Sequence, residues 1–224
     1  MLDGYNVEMR RRGAYLAAAL CALLATATGS DANISPARCP REHQRVLLAD
    51  TQAQVYRGPP TLVGGCEVPG SAEVYGRLLA HGHAYLLGGA PWGTTEGVGG
   101  VANATLAGPV VAYERYREVF GPGEPRSMVV IVRDLRTGRV LHDTPIASTI
   151  PQAESFVSIV AKSDGAAAWI VETGYVGGYQ VHAVDANGSR VLALGSGIEP
   201  RSLALAGNTL YWMQEGKPVS AALN

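Results

Sequence analysis

An all-β fold is what the sequence predicts, and three observations predict it. Short runs rich in Val, Ile, Leu and Tyr recur from Arg45 onward between clusters of Gly, Pro, Asn and Asp. No stretch of that region keeps a helical period. Hairpin patterns also return along the chain at a regular offset, the mark of a repeat architecture.

In chain order, Arg45–Ala49 and Ala53–Arg57 are strands on either side of Asp50, and Thr61–Cys66 and Ala72–Tyr75 follow between Gly and Pro residues. Ala84–Leu87 comes after Gly82. Ala104–Ala107 and Val110–Tyr116 flank Gly108 and Pro109, and Met128–Arg133 and Arg139–His142 flank the stretch from Asp134 to Gly138. Phe156–Ala161 and Ala166–Glu172 enclose Ser163, Asp164 and Gly165, where Gly supplies a positive φ and Asp bonds the following amides. Tyr179–Val184 and Arg190–Leu194 enclose Asp185 to Ser189, with Asn187 and Gly188 as a hairpin turn. Ser202–Ala206, Thr209–Met213 and Val219–Leu223 complete the series.

The repeats choose among all-β architectures. Asp134 stands five residues before Arg139-Val140-Leu141, and Asp185 stands five before Arg190-Val191-Leu192, an offset of 51 residues. Leu106-Ala107-Gly108 with Tyr113 matches Leu205-Ala206-Gly207 with Trp212 at an offset of 99, close to two such periods. A unit of this size holding two hairpins is a four-stranded propeller blade, so the expectation is a β-propeller-like domain of about four to five blades, with a β-sandwich as the alternative. Tyr113, Trp169 and Trp212, each in the second strand of a hairpin, are then expected to pack between adjacent blades. Ring closure would use Arg45–Ala49 to complete the last blade.

The Ser163-Asp164-Gly165 turn with the apolar strand Ala166 to Ile170 resembles the repeat of TolB-type and other WD-like propellers, although it lacks their proline between Ser and Asp. More broadly, Cys39 to Asn224 is similar to secreted bacterial proteins with propeller-like repeats. The resemblance implies a fold and an exported location, and no reaction.

Composition agrees with a folded exported domain. The 224 residues are 47% hydrophobic and 17% charged with a net charge of -1, so there is material for a core and no cationic surplus for nucleic acid. Arg10, Arg11 and Arg12 precede an apolar run from Ala14 to Leu24, and small residues follow. This is the order of a cleaved secretory signal, with cleavage after Ala27 or, alternatively, Ala32. Residues 1–27 are therefore read as a signal peptide, 28–44 as a segment leading into the domain, and 45–224 as a single domain. The apolar run is too short to span a bilayer comfortably, and no later segment is a membrane-span candidate, so the chain is expected to be secreted or extracytoplasmic. An uncleaved signal anchor would instead leave it membrane-tethered. Cys39 and Cys66 remain after cleavage and are expected to form a disulfide in an oxidising compartment. Such a bridge, closing 26 intervening residues, would contribute about 3 kcal/mol in the chain-entropy view. Arg far outnumbers Lys, as in high-GC bacterial genomes.

Chemistry is harder to find. No nucleophile elbow, zincin motif or phosphate loop is present, and Gly97 to Gly100 reads as a linker. His81 and His83 read as polar residues at a hairpin turn rather than as a metal site. Ser155 or Ser158 with His182 and Asp185 is a hydrolase triad only on paper. Catalytic residues, metals and cofactors are accordingly not assigned. The irregular segment Gly88 to Glu96 places Trp92 between Pro91 and Gly93 beside Thr94 and Glu96, and a second one carries Tyr175 and Tyr179. These five are the candidate ligand-binding residues. The expected function is a secreted binding or interaction module whose partner is an extracellular protein, peptide or glycan. The alternative is an extracellular hydrolase or lyase with a dispersed active site at a central channel.

Overall fold

The computed structural model describes residues 45–63, 66–68, 71–80, 82–94, 97–119, 127–146, 155–173 and 177–224, all within a unit that spans Arg38–Asn224. The strands are β1 (Arg45–Ala49), β2 (Ala53–Arg57), a two-strand ribbon of β3 (Leu62–Val63) and β4 (Cys66–Glu67), β5 (Glu73–Leu78) and β6 (Ala84–Gly89). They continue as β7 (Trp92–Gly93), β8 (Gly97–Ala107), β9 (Val110–Val119), β10 (Ser127–Asp134) and β11 (Val140–Pro145). The last are β12 (Ser155–Ala161), β13 (Ala167–Thr173), β14 (Gly178–Asp185), β15 (Gly188–Gly195), β16 (Ala204–Ala206), β17 (Thr209–Gln214) and β18 (Lys217–Ala222).

Among the described residues the protein is all-β, with four antiparallel sheets of three to five strands beside the β3–β4 ribbon. Their strand orders are β1-β2-β5-β6, β11-β10-β9-β8-β7, β12-β13-β14-β15 and β16-β17-β18. Each runs in chain order, apart from the β3–β4 ribbon that intervenes between the paired strands β2 and β5, so most pairings are local and cheap to form. No helix among the described residues is long and apolar enough to cross a membrane.

Period-two alternation puts the cores between the sheets. On β9, Val111 and Tyr113 join a core with Val55, Val74 and Leu87 of the first sheet, while Val110 and Ala112 join a second core with Trp169 and Val171 of the third. On β13, Ala168 and Ile170 face the opposite way, into a third core with Leu210 and Trp212 of the fourth sheet. The second and third sheets are thus buried on both faces, which is why Val110 to Tyr113 and Ala166 to Val171 read as unbroken apolar runs. Tyr113, Trp169 and Trp212 occupy the three cores in turn, as their places in the hairpins predict.

The turn aspartates lock the sheets together. Asp50 accepts from the amides of Gln52 and Ala53, and its second oxygen accepts from Gly108 in the next sheet at 3.0 Å. Asp164 accepts from Ala166 across Gly165, whose φ is +106°. Asp185 accepts from the Asn187 amide, from the Arg190 guanidinium at 2.7 and 2.8 Å, and from the Asn224 amide beyond the last strand at 2.9 Å.

Three expectations change. Arg45–Ala49 pairs with Ala53–Arg57 in the first sheet and not with the last one, because the Asp50 turn folds it back on its neighbour. The single strand expected at Thr61–Cys66 is the ribbon of β3 and β4. The Gly97 to Gly100 run belongs to β8, and Trp92 lies in the short strand β7 rather than in a loop.

Candidate ligand-binding cleft

The glycines of β8 are explained by what lies on them. A Cβ at Gly99 would stand 3.0–3.1 Å from the Trp92 indole, and one at Gly100, with φ +142°, would stand 2.6 Å from the Pro91 backbone. A strand that carried side chains here could not receive Trp92, so the sequence gives up strand propensity for close approach. Pairing then fixes a row across four strands: Trp92 opposite Gly99, Gly99 opposite Arg117, and Arg117 opposite Ser127. The next row on the same face is Val101, Arg115 and Val129.

The first row, with Arg115 and Val129 of the second, lines a cleft of about 350 Å³, completed by Gly89, Gly100 and Tyr116. Gly89 ends β6, so the cleft opens where the first and second sheets part at one end of their shared core. Gly88 makes that approach possible, since a Cβ there would stand 2.8 Å from the Val101 side chain and 3.9 Å from Cδ of Arg115. Trp92 is half-buried, its sheet side covered by Gly99, and Arg115, Arg117 and Ser127 are exposed.

The electrostatics of this face follow from alternation along β9. Tyr113, Arg115 and Arg117 point one way, and Glu114, Tyr116 and Glu118 the other. Neither Arg115 nor Arg117 makes a hydrogen bond or ion pair among the described residues. Below them lies the fully buried Tyr113, its hydroxyl near the Arg133 guanidinium. Burial pushes its pKa up, and the positive charges of Arg133 and Arg115 pull the other way. The wall of the cleft is therefore cationic in a chain whose net charge is only -1.

Of the candidate binding residues, Trp92 lines the cleft. Thr94 closes the β7–β8 turn, its amide donating to the Gly97 carbonyl at 2.8 Å. Tyr179 packs against the core shared by the third and fourth sheets. Glu96 and Tyr175 lie outside the described residues, as do Cys39 and His81. Sequence reasoning missed Arg115 and Arg117, whose signal was the Tyr-x-Arg-x-Arg alternation at the end of an otherwise apolar strand.

The paper triad is not assembled from Ser158. Its hydroxyl donates to the Pro200 carbonyl at 3.0 Å, and Asp185 is engaged by Arg190. His182 stacks on Trp169 with centroids 5.5 Å apart, and its Nε2 lies 2.8 Å from Oε1 of Gln180. Burial holds the His182 pKa down at about 4. These polar side chains serve the packing of the third sheet.

No protein-family model matches the sequence, and no curated protein matches it.

Proposed function

We propose that this chain is an extracytoplasmic binding module of propeller-like build, holding its ligand in the cleft beside Trp92. The four meander sheets are read as four blades stacked in chain order, with the pattern of residues 1–27 directing export. A disulfide between Cys39 and Cys66 would join the segment before β1 to the β3–β4 ribbon.

One observation carries the reading. A tryptophan that could have been buried is instead laid over a glycine strand beside two arginines that spend nothing on the fold. The cleft also has the volume of a small-ligand site. Recognition is the reading because the polar side chains lining the cleft among the described residues are two arginines and the hydroxyls of Ser127 and Tyr116, with no carboxylate or imidazole.

The test is a calorimetric screen of the exported chain against neutral oligosaccharides, acidic oligosaccharides and short peptides, repeated with Trp92→Ala. The reading expects at least one class to bind and Trp92→Ala to weaken it at least about tenfold, the loss of one aromatic contact surface of 1–2 kcal/mol. Binding that ignores Trp92→Ala, or no binding in any class, overturns it.

A further inference from the structure

We infer that the cleft selects a carboxylate-bearing sugar, with the sugar ring on Trp92 and its carboxylate held by Arg117 and Arg115. This rests on the binding reading above and adds the ligand class to it.

The geometry sets three requirements. The flat apolar element is one indole, fixed in place by Gly99, which matches a single ring face and not an extended chain. The two arginines lie on one face of β9 at i and i+2, their Cα atoms about 7 Å apart, and Arg117 is in the same cross-strand row as Trp92. A ring over Trp92 therefore has its substituents directed at Arg117, where a planar carboxylate can accept two parallel N–H bonds. Ser127, next in the row, offers a hydroxyl to a neighbouring sugar oxygen.

The charges sharpen the selection. Arg115 and Arg117 have no partner among the described residues, and the acids of β9 face away from them, so an anion entering the cleft meets cations without displacing an existing ion pair. The buried Tyr113 hydroxyl and the Arg133 guanidinium near it add polar character beneath the cations. A neutral sugar gains the ring contact alone. An acidic peptide gains the charge contact, but the strand beside the cleft, β7, has two residues, too short an edge for a peptide to join by strand addition.

The experiment uses the trimer of galacturonic acid, its methyl ester and pentaglutamate as probes, titrated into the exported chain and into Arg117→Gln, Arg115→Gln and the double variant. The inference expects the acid trimer to bind, its affinity to fall about tenfold or more in Arg117→Gln and further in the double variant, and the methyl ester to bind the unaltered chain no better than the acid trimer binds the double variant. Unfolding midpoints of the variants confirm that they fold. Equal binding of acid and ester, an unchanged double variant, or tighter binding of pentaglutamate than of the trimer overturns the inference; in each case binding lost in Trp92→Ala leaves the module reading standing. Absence of binding by the acid trimer overturns the inference too, whereas the module falls only to silence from the wider screen or to binding that ignores Trp92→Ala.

Discussion

Two arginine sites in this molecule are built from similar strands and do opposite things. At the β14–β15 turn, Arg190 is fixed on an Asp185 carboxylate whose side chain is wholly buried, and that carboxylate also holds the amides of Asn187 and Asn224. On β9, Arg115 and Arg117 reach into a cleft with no partner among the described residues. The first arrangement ties the third sheet to the chain beyond the fourth. The second makes no hydrogen bond or ion pair among the described residues, and on the proposed reading it serves a ligand. The satisfied charge belongs to the architecture, and the open pair is what the proposed recognition would use.

Removing what the architecture uses should be expensive. The largest effect is expected from Trp169→Ala, which empties the core between the second and third sheets and removes the stack on His182; about 4 kcal/mol of stability should be lost in a urea titration. Asp185→Ala should follow with a loss of about 3 kcal/mol, because it strands two amides and a guanidinium at once. A loss below about 1 kcal/mol would show that the corner is decoration.

Acid should discriminate the same way. The folded pKa of His182 is about 4 against an ordinary 6.5, so as pH falls through that interval the unfolded chain takes up a proton that the folded chain refuses, and stability declines. Arg190 holds the Asp185 carboxyl well below the usual carboxylate range, so its contribution is complete above the unfolded value and is lost as pH falls below about 4. Thermal unfolding from pH 7 to pH 3 should therefore show two successive losses, and His182→Gln should diminish the first, leaving the share of the half-buried His142, and leave the second intact.

Smallest in stability is the change at the cleft. Arg115→Gln and Arg117→Gln should each move the unfolding free energy by less than about 0.5 kcal/mol, as exposed side chains without partners do. A larger loss would mean that these arginines belong to the fold and would erase the contrast. Gly99→Ala lies between the two sites in character: its Cβ would push on the indole, so ligand binding should weaken more than stability.

The architecture was more legible than the cleft, for a physical reason. Buried sheets write themselves as apolar runs, and Asp50, Asp164 and Asp185 announce their turns by local chemistry that needs no knowledge of the rest of the chain. Long-range relations are less visible. Arg45–Ala49 was expected in the last sheet because closure of a ring was assumed, whereas the Asp50 turn gave the shorter connection to β2. Gly97 to Gly100 lacks strand propensity, and only the indole and Pro91 lying on it explain why it is a strand. Arg117 was hidden because the strand was read as ending at Tyr116, and Arg115, though inside that strand, was one charge without its i+2 partner to mark a face.

The most direct test of the central claim is an amide and indole NMR titration of the exported chain with the trimer of galacturonic acid. The chain has three tryptophans, and Trp169 and Trp212 are in cores. The account predicts that the Trp92 indole N–H and the amides of Gly99, Gly100, Arg115 and Arg117 shift together while the other two indoles stay in place. Shifts that miss this set, or that appear on the outer faces of the first and fourth sheets, would contradict it.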